Sequence, residues 1–128
     1  AGSSAQVDEM VESIAARAFA LCASAEVWAR HGVEHPMGAT FSGIQDLLPQ
    51  TIEEHTALSY VERVPLSLVR ETCLAGTPSE ILDQLSEWRY NGLRYAVIAN
   101  IGPVHPRLSV GLGSSLPIVQ LLRGMRRL

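Results

Sequence analysis

The sequence predicts an α/β fold in which two parallel strands lie among mostly helical surroundings. Three observations in the segment 72–101 predict it: a short apolar run at 72–75, a helical pattern at 78–90, and a nearly continuous apolar run at 93–101. An apolar run without alternation is typical of a strand that is buried on both faces. A short helix between two such strands predicts a right-handed parallel crossover.

The helix of this strand–helix–strand unit is marked at both ends. Thr77 and Glu80 have the spacing of a capping box, in which each side chain hydrogen-bonds the backbone N–H of the other residue. Pro78 would occupy the first helical position, where its missing N–H costs nothing. Asn91 and Gly92 supply a left-handed stop. We therefore expect a helix that begins at residue 78 and ends near residue 90.

The other segments are predicted to be helices and one long loop, and together with 72–101 they form a single segment of a domain. Residues 1–30 are expected to form one long helix, because an apolar stripe recurs at alternating spacings of four and three: Val7, Val11, Ile14, Ala18, Leu21, Ala25 and Trp28. Residues 31–50 are expected to be a loop with a short helix, residues 51–71 helices, and residues 102–128 a C-terminal helix. Thr51 and Glu54 would form a second capping box.

The composition indicates a globular chain and excludes several functions. Of the 128 residues, 47% are hydrophobic and 18% are charged, and the net charge is −3. This balance argues against a nucleic-acid partner. Lysine is absent, which excludes a Schiff-base lysine and a P-loop lysine. No apolar run reaches the ~20 residues of a transmembrane helix. Cys22 and Cys73 are interpreted as buried thiols of a reducing compartment, so a cytoplasmic location is expected.

Two buried strands are too few to form a sheet by themselves. Strands that are apolar on both faces need neighbouring strands and covering helices. The sequence therefore predicts either that this chain is a piece of a larger α/β protein, or that another subunit supplies the missing strands. In both cases the chain is expected to expose apolar edges and to associate.

Several short stretches resemble a known enzyme family. The sequence LAGTPSE at 74–80, with Leu85, Trp88 and NGLRY at 91–95, is similar to the last βαβ unit of the luciferase-like flavin and deazaflavin oxidoreductases. The flanking stretches HPMGA at 35–39, GIQDLLPQT at 43–51, SLP at 115–117 and LRG at 122–124 resemble the mycobacterial branch of that family. This branch includes the phthiodiolone/phenolphthiodiolone dimycocerosates ketoreductases and relatives of the deazaflavin-dependent sugar-phosphate dehydrogenases.

The resemblance implies a fold and a reaction for a longer parent protein. It implies that the chain is the C-terminal segment of a (β/α)8 TIM barrel, which takes about 250 residues in full. The parent would transfer hydride between coenzyme F-420 and a carbonyl or alcohol substrate, with a lipid among the candidates. The catalytic residues and most of the cofactor pocket would lie in the N-terminal remainder of the barrel. The chain alone would be inactive, and a homo-oligomer is expected.

Two alternative functions remain open at this point. The first is an FMN-dependent monooxygenase of the same fold, which would use oxygen. The second is a non-enzymatic α/β module that completes its sheet by oligomerising. Cofactor fluorescence of the longer protein separates the two enzymes, and a native mass measurement tests the module.

Three residues are candidates for substrate binding. The resemblance to the sugar-phosphate branch implies that Arg70 holds a substrate anion, while the alternative is a surface ion pair with Glu71 or Glu62. Asn100, at the end of the second predicted strand, could contact a substrate or could be a turn residue before Gly102. His35 could line a pocket formed by the long loop.

Two further residues are candidates for cofactor binding. Gly76 and Thr77 follow the first predicted strand, where the free N–H groups of the next helix could bind an anion. The helix cap is the alternative explanation of both residues. A metal site at His31 and His35 is not expected, because Gly32 and Pro36 interrupt the helix that would align the two imidazoles. No catalytic residue is assigned within the chain.

Overall fold

The computed structural model describes residues 1–128, apart from the side chain of residue 49, and its regular structure consists of helices. The helices are α1 (Ser4–Glu12), α2 (Ile14–Leu21), α3 (Ala25–Arg30), α4 (Glu54–Glu62), α5 (Leu66–Thr72), α6 (Pro78–Tyr90), α7 (Leu108–Gly113) and α8 (Ser115–Met125). Three 3-10 turns lie at Ile44–Asp46, Pro49–Thr51 and Gly102–Val104. No strand is present in the described part of the chain.

The prediction of an α/β fold with two parallel strands of a TIM-barrel segment is therefore wrong. Thr72, at the start of the first predicted strand, is the last residue of α5. Residues 93–101 have no regular secondary structure, and Tyr95 and Val97 are 92% and 98% exposed. A strand exists only when its backbone groups pair with a neighbouring backbone about 4.8 Å away. No described segment pairs with this run, so its apolar composition does not produce a strand.

The predicted single helix over residues 1–30 is divided into α1, α2 and α3. Ser13 has φ −65° and ψ 149° and accepts a hydrogen bond from the backbone N–H of Ala16 at 3.2 Å. Ser24 has φ −65° and ψ 158° and accepts from Val27 N–H at 3.4 Å. Serine hydroxyls compete with helical hydrogen bonds and cap new helices. The apolar stripe continues across both breaks, which is why periodicity alone does not reveal them.

The chain forms two units, of which the second comprises residues 11–73. In this unit α2 packs against α4 and α5. Its fully buried side chains include Trp28, Val64, Leu68 and Val69. The Arg17 guanidinium donates to the carbonyl oxygens of Glu62 and Val64, each at 3.3 Å. These bonds satisfy carbonyls at the end of α4, where helical partners are missing.

The first unit comprises residues 1–10 and 74–128, and its core lies between α6 and α8. Ile81 and Leu85 from α6 are buried together with Leu121 from α8. Gly124 lets α8 approach closely, because a Cβ at this position would collide with the Leu82 side chain. The amphipathic face predicted for residues 81, 82 and 85 is thus used against a helix rather than against a sheet.

The capping box predicted for α6 is confirmed. Thr77 N–H donates to Glu80 Oε2 at 2.7 Å, Glu80 N–H donates to Thr77 Oγ1 at 3.5 Å, and Pro78 is the first helical residue. The second predicted capping box is wrong. Helix α4 begins only at Glu54, and the Thr51 hydroxyl donates to the carbonyl of Leu48 at 2.8 Å. That bond belongs to the preceding 3-10 turn, so Thr51 is not available to α4.

Candidate functional site

The most developed polar network in the second unit links the end of α3 to α5. His31 caps the C-terminus of α3, while Ser67 and Glu71 lie one turn apart on the same face of α5. His31 Nδ1 lies 2.8 Å from Ser67 Oγ, and His31 Nε2 lies 2.7 Å from Glu71 Oε2. Arg30 adds an ion pair of 2.6 Å to Glu71 Oε1. We call these four residues the His31 network.

The chemistry of these groups fixes the direction of the hydrogen bonds. A carboxylate only accepts, so the neutral His31 imidazole donates from Nε2 to Glu71 and accepts from the Ser67 hydroxyl at Nδ1. The side-chain hydrogen bonds from Arg30 and His31 lower the pKa of the Glu71 carboxyl below its ordinary value. Glu71 is therefore a fixed negative charge that orients His31. A hydroxyl, an imidazole and a carboxylate in this order can accept or deliver one proton at the imidazole.

Sequence reasoning missed the His31 network. The partners of His31 are 36 and 40 residues away in the chain. The spacing of Ser67 and Glu71 is visible in the sequence, but it is also the spacing of any two residues on one helix face. Only the packing of α3 with the segment around α5 shows that His31 meets both side chains.

His35, a predicted pocket residue, lies in the core of the second unit. Its ring stacks on Phe41 at a centroid distance of 4.1 Å and meets the Trp28 ring edge-on at 4.8 Å. His35 Nε2 lies 3.0 Å from the carbonyl oxygen of Leu21, and Nδ1 accepts from Met37 N–H at 3.1 Å. Both ring nitrogens are occupied and the residue is buried. This geometry describes a structural histidine that closes the long loop onto α2 and α3.

Burial and the loop hydrogen bonds set the protonation state of His35. Burial lowers the pKa of the imidazole, the Leu21 carbonyl raises it, and the positive charge of Arg63 lowers it further. The neutral form with a proton on Nε2 satisfies both hydrogen bonds. Nearby, the indole N–H of Trp28 is buried and has no hydrogen-bond partner within the described residues. A donor of this kind is uncommon in a core and costs stability.

The two other predicted substrate residues lie in different units. Arg70 is an exposed residue near the end of α5 in the second unit, and the neighbouring Glu71 is engaged by Arg30 and His31. Asn100, in the first unit, donates from Nδ2 to Ser114 Oγ at 3.0 Å and accepts from Gly102 N–H at 3.0 Å. The geometry of Asn100 is that of a turn residue. The structure does not bring His35, Arg70 and Asn100 into one site within either unit.

The predicted cofactor residues Gly76 and Thr77 form the N-terminal cap of α6. The Glu80 carboxylate accepts from both the N–H and the hydroxyl of Thr77, at 2.7 and 2.9 Å. An acidic side chain thus takes the donors that a phosphate group would need at this helix start. The negative charge of Glu80 would also repel a phosphate. The donors of Thr77 therefore do not fit the phosphate of a deazaflavin or flavin, and the helix cap accounts for this residue.

The described residues show neither a group of metal ligands nor an activated thiol. They contain no group of three His, Cys, Asp or Glu side chains that could hold a metal ion. Cys22 and Cys73 are free and half-buried, and burial raises the pKa of both thiols. Thiols with a raised pKa are poor nucleophiles at neutral pH.

Comparison with known proteins places the chain beside one group of mycobacterial enzymes. It is 48% identical over 122 residues to the phthiodiolone/phenolphthiodiolone dimycocerosates ketoreductase of Mycobacterium tuberculosis H37Rv, and equally so to that of Mycobacterium bovis BCG. The Mycobacterium kansasii ketoreductase is 45% identical over 122 residues. These matches confirm the resemblance to the mycobacterial ketoreductases. Their names describe an oxidoreductase, in agreement with the predicted reaction class.

The match covers 95% of this chain but only 32% of the M. tuberculosis protein and 33% of the M. kansasii protein. The chain therefore spans about one third of the length of the curated relatives it matches. No protein-family model matches the chain. No solved structure matches it either. The long alignment also accounts for the recognisable flanking stretches at 35–51 and 115–124.

Proposed function

We propose that this chain is the C-terminal third of a longer ketoreductase, which reduces a ketone group of a lipid to an alcohol with coenzyme F-420 as the hydride donor. The observation that carries the proposal is the 48% identity over 122 residues to enzymes named as dimycocerosates ketoreductases. The cofactor would be held mainly by residues outside this chain, because Glu80 occupies the N–H and the hydroxyl of Thr77.

The His31 network gives the chain a role in the same reaction. Reduction of a ketone needs a proton at the carbonyl oxygen as well as a hydride at the carbon, and general acids supply such protons. His31 is held in one orientation by Ser67 and Glu71, at 2.8 and 2.7 Å. In the longer protein a protonated His31 would pass its Nδ1 proton to Ser67 Oγ while the Ser67 hydroxyl proton moves to the carbonyl oxygen, which leaves the imidazole neutral. Arg30 would keep Glu71 ionised throughout.

The reaction is tested on the longer polypeptide that contains this chain. The protein is mixed with reduced F-420 and a long-chain ketone, and the deazaflavin absorbance and the alcohol product are followed. We expect ketone-dependent oxidation of F-420. Turnover with reduced FMN and oxygen would support the rival monooxygenase instead. Failure to bind either cofactor would contradict both enzyme assignments.

The role of His31 needs a matched pair of variants. His31→Gln should lower kcat by about a hundredfold to ten-thousandfold, as the loss of a general acid does, while cofactor binding stays unchanged. His55 lies exposed on α4 in the same unit and provides the control. His55→Gln should leave kcat unchanged. If the two substitutions change kcat equally, His31 has no specific role in the proposed reaction.

The non-enzymatic alternative makes a different prediction. A module that functions by oligomerising would give a stable homo-oligomer in native mass spectrometry and no turnover within the longer polypeptide. The similarity to proteins named as reductases favours the enzyme.

A further inference from the structure

Charge is unevenly distributed along this chain. Residues 1–87 contain all 13 acidic residues and four of the ten arginines, whereas residues 88–128 contain the other six arginines and no acidic residue. The overall charge of −3 hides this division. The segment 88–128, which includes α7 and α8, therefore contains arginines and no acidic side chain.

Helix α8 presents apolar and basic side chains on the same outward face. Pro117 and Leu121 are buried on its inner face, while Leu116, Val119 and Leu122 are 65%, 41% and 47% exposed. At 100° per residue, Arg123 and Arg126 fall within the sector spanned by these three apolar residues. We call the exposed side chains of residues 116, 119, 122, 123, 126 and 127 the α8 outer face.

The neighbouring helix α7 also exposes apolar side chains. Leu108 and Leu112 are one turn apart in α7 and are 79% and 74% exposed. Helices α7 and α8 contact each other within the first unit. Exposed apolar side chains in a contiguous group are uncommon on the free surface of a soluble domain and mark an interaction site.

The arginines of the α8 outer face are available for an external anion. Arg107 pairs with Glu9, so its charge is compensated within the first unit. For Arg123, Arg126 and Arg127, the described residues provide no ion pair, and all three are exposed. The uncompensated guanidinium groups of Arg123 and Arg126 thus lie in the sector of the three exposed apolar side chains, and Arg127 follows in the turn after α8.

We propose that the α8 outer face docks on an anionic lipid bilayer. On such a surface the exposed apolar side chains would enter the acyl boundary and the guanidinium groups would lie at the phosphates. Arginine suits this position because its stem is apolar and its head binds phosphate in a bidentate manner. None of the described helices is long and apolar enough to span a membrane.

A second copy of the chain is a poorer occupant of this face. A two-fold interface brings the same patch from both subunits together. It would place the three arginines opposite the same three arginines, with no acidic residue between 88 and 128 to compensate them. A phosphate-rich surface has the opposite charge and the complementary chemistry.

Membrane docking goes beyond the proposed reaction and stands without it. If the reaction is also correct, the docked face would bring the enzyme to the membrane that holds its lipid substrate; that link alone rests on the proposed function. Vesicle binding and ketone turnover are measured separately, so failure of one is distinguishable from failure of the other.

The test is co-sedimentation of this chain and of the longer polypeptide with vesicles. One set of vesicles contains phosphatidylcholine alone and the other contains phosphatidylcholine with phosphatidylglycerol. We expect binding to the anionic set at least about tenfold stronger than to the neutral set, and a decline as salt is added. Equal binding to both sets, or no binding to either, would overturn the proposal.

Matched variants assign the binding to the α8 outer face. R123Q/R126Q should lower binding to anionic vesicles by about tenfold, whereas R63Q/R89Q removes the same charge elsewhere and should have a smaller effect. L116S/V119S tests the apolar contribution, with I14S/F19S on α2 as its control. Circular dichroism verifies the fold of each variant. Equal losses in each matched pair would contradict the assignment.

Vesicle binding by the longer polypeptide shows whether a membrane or the additional residues of that polypeptide contact the α8 outer face. Binding by both proteins supports the proposal. Binding by this chain alone would mean that the rest of the polypeptide covers the α8 outer face, and this result would overturn the proposal.

Discussion

At the scale of single residues, local signals were predictable and long-range partners were not. The Thr77–Glu80 cap was predicted because both residues lie within one helical turn. The surroundings of His35 were not predicted, because Trp28, Phe41 and Leu21 reach it only after the loop closes. The pairing of His31 with residues of α5 was not predicted for the same reason. The sequence shows which chemistry a histidine can perform, but it does not show which residues surround it in the fold.

Protonation of His35 should make the chain less stable in acid. Burial holds the folded-state pKa of His35 below its ordinary value of 6.5. Its contribution to stability is therefore complete above pH 6.5 and is lost as pH falls below that value toward the folded-state pKa. A protonated ring would also lose the Nδ1 acceptor of Met37 N–H.

The measurement is urea unfolding of wild type and His35→Phe at several values between about pH 5 and pH 8. Phenylalanine keeps the stack on Phe41 but does not titrate. We expect the free energy of unfolding to fall with decreasing pH more steeply in the wild type than in the variant. Parallel pH profiles would show that His35 does not carry this dependence.

The paired state of Glu71 predicts a second and separate pH dependence. Its pKa is lowered from an ordinary value of 4.5 by Arg30 and His31. The stabilisation is therefore present above pH 4.5 and is lost as pH falls through the folded-state pKa. Glu71→Gln should be less stable than the wild type at neutral pH, and the two should converge in acid.

Glu34→Gln provides the matched control for this experiment, because Glu34 is exposed in the same unit. The free energy of unfolding of the wild type and both variants is measured from unfolding curves at neutral and acid pH. A constant difference between wild type and Glu71→Gln across the pH range would contradict the ion-pair explanation.

At the scale of elements, helices with their own capping residues were predictable and strands were not. Helix α6 has a cap, a proline and an asparagine–glycine stop, all within the element. The run at 93–101 has only its composition, and a strand depends on a partner that the sequence of the run does not specify. The breaks at Ser13 and Ser24 were missed because a serine can cap a helix or lie within it without changing the apolar period.

The packing of α6 on α8 predicts that a leucine-to-alanine substitution changes the stability by different amounts at two positions. Leu85 is 3% exposed in the core of the first unit, whereas Leu116 is 65% exposed. Leu85→Ala should lower the free energy of unfolding by about 2–4 kcal/mol, since it removes buried methyl groups and leaves a cavity. Leu116→Ala should change it by less than about 0.5 kcal/mol. Chemical denaturation followed by circular dichroism measures both, and equal effects would contradict this packing.

At the scale of the whole molecule, the exposed apolar run predicts self-association. Tyr95 and Val97 are almost fully exposed, and unpaired apolar segments associate in water. Val97→Lys should shift the chain toward the monomer in sedimentation velocity at high protein concentration. Ile44→Lys on the second unit, where Ile44 is also exposed, serves as the control. If Val97→Lys associates as strongly as the wild type, residues 93–101 do not form the contact.

The relation of the chain to a longer ketoreductase was predictable because the matching stretches span most of it. The names of the relatives confirm the predicted reaction only as a class, that of an oxidoreductase, and hydride transfer from F-420 stays a prediction. Deuterium transfer tests this central claim most directly. The longer polypeptide is given deuterium-labelled reduced F-420 and a long-chain ketone, and the product is analysed by mass spectrometry. Hydride transfer from F-420 gives an alcohol that carries one deuterium at the former carbonyl carbon; an unlabelled alcohol, or an unchanged ketone with no bound deazaflavin, would contradict the proposed reaction.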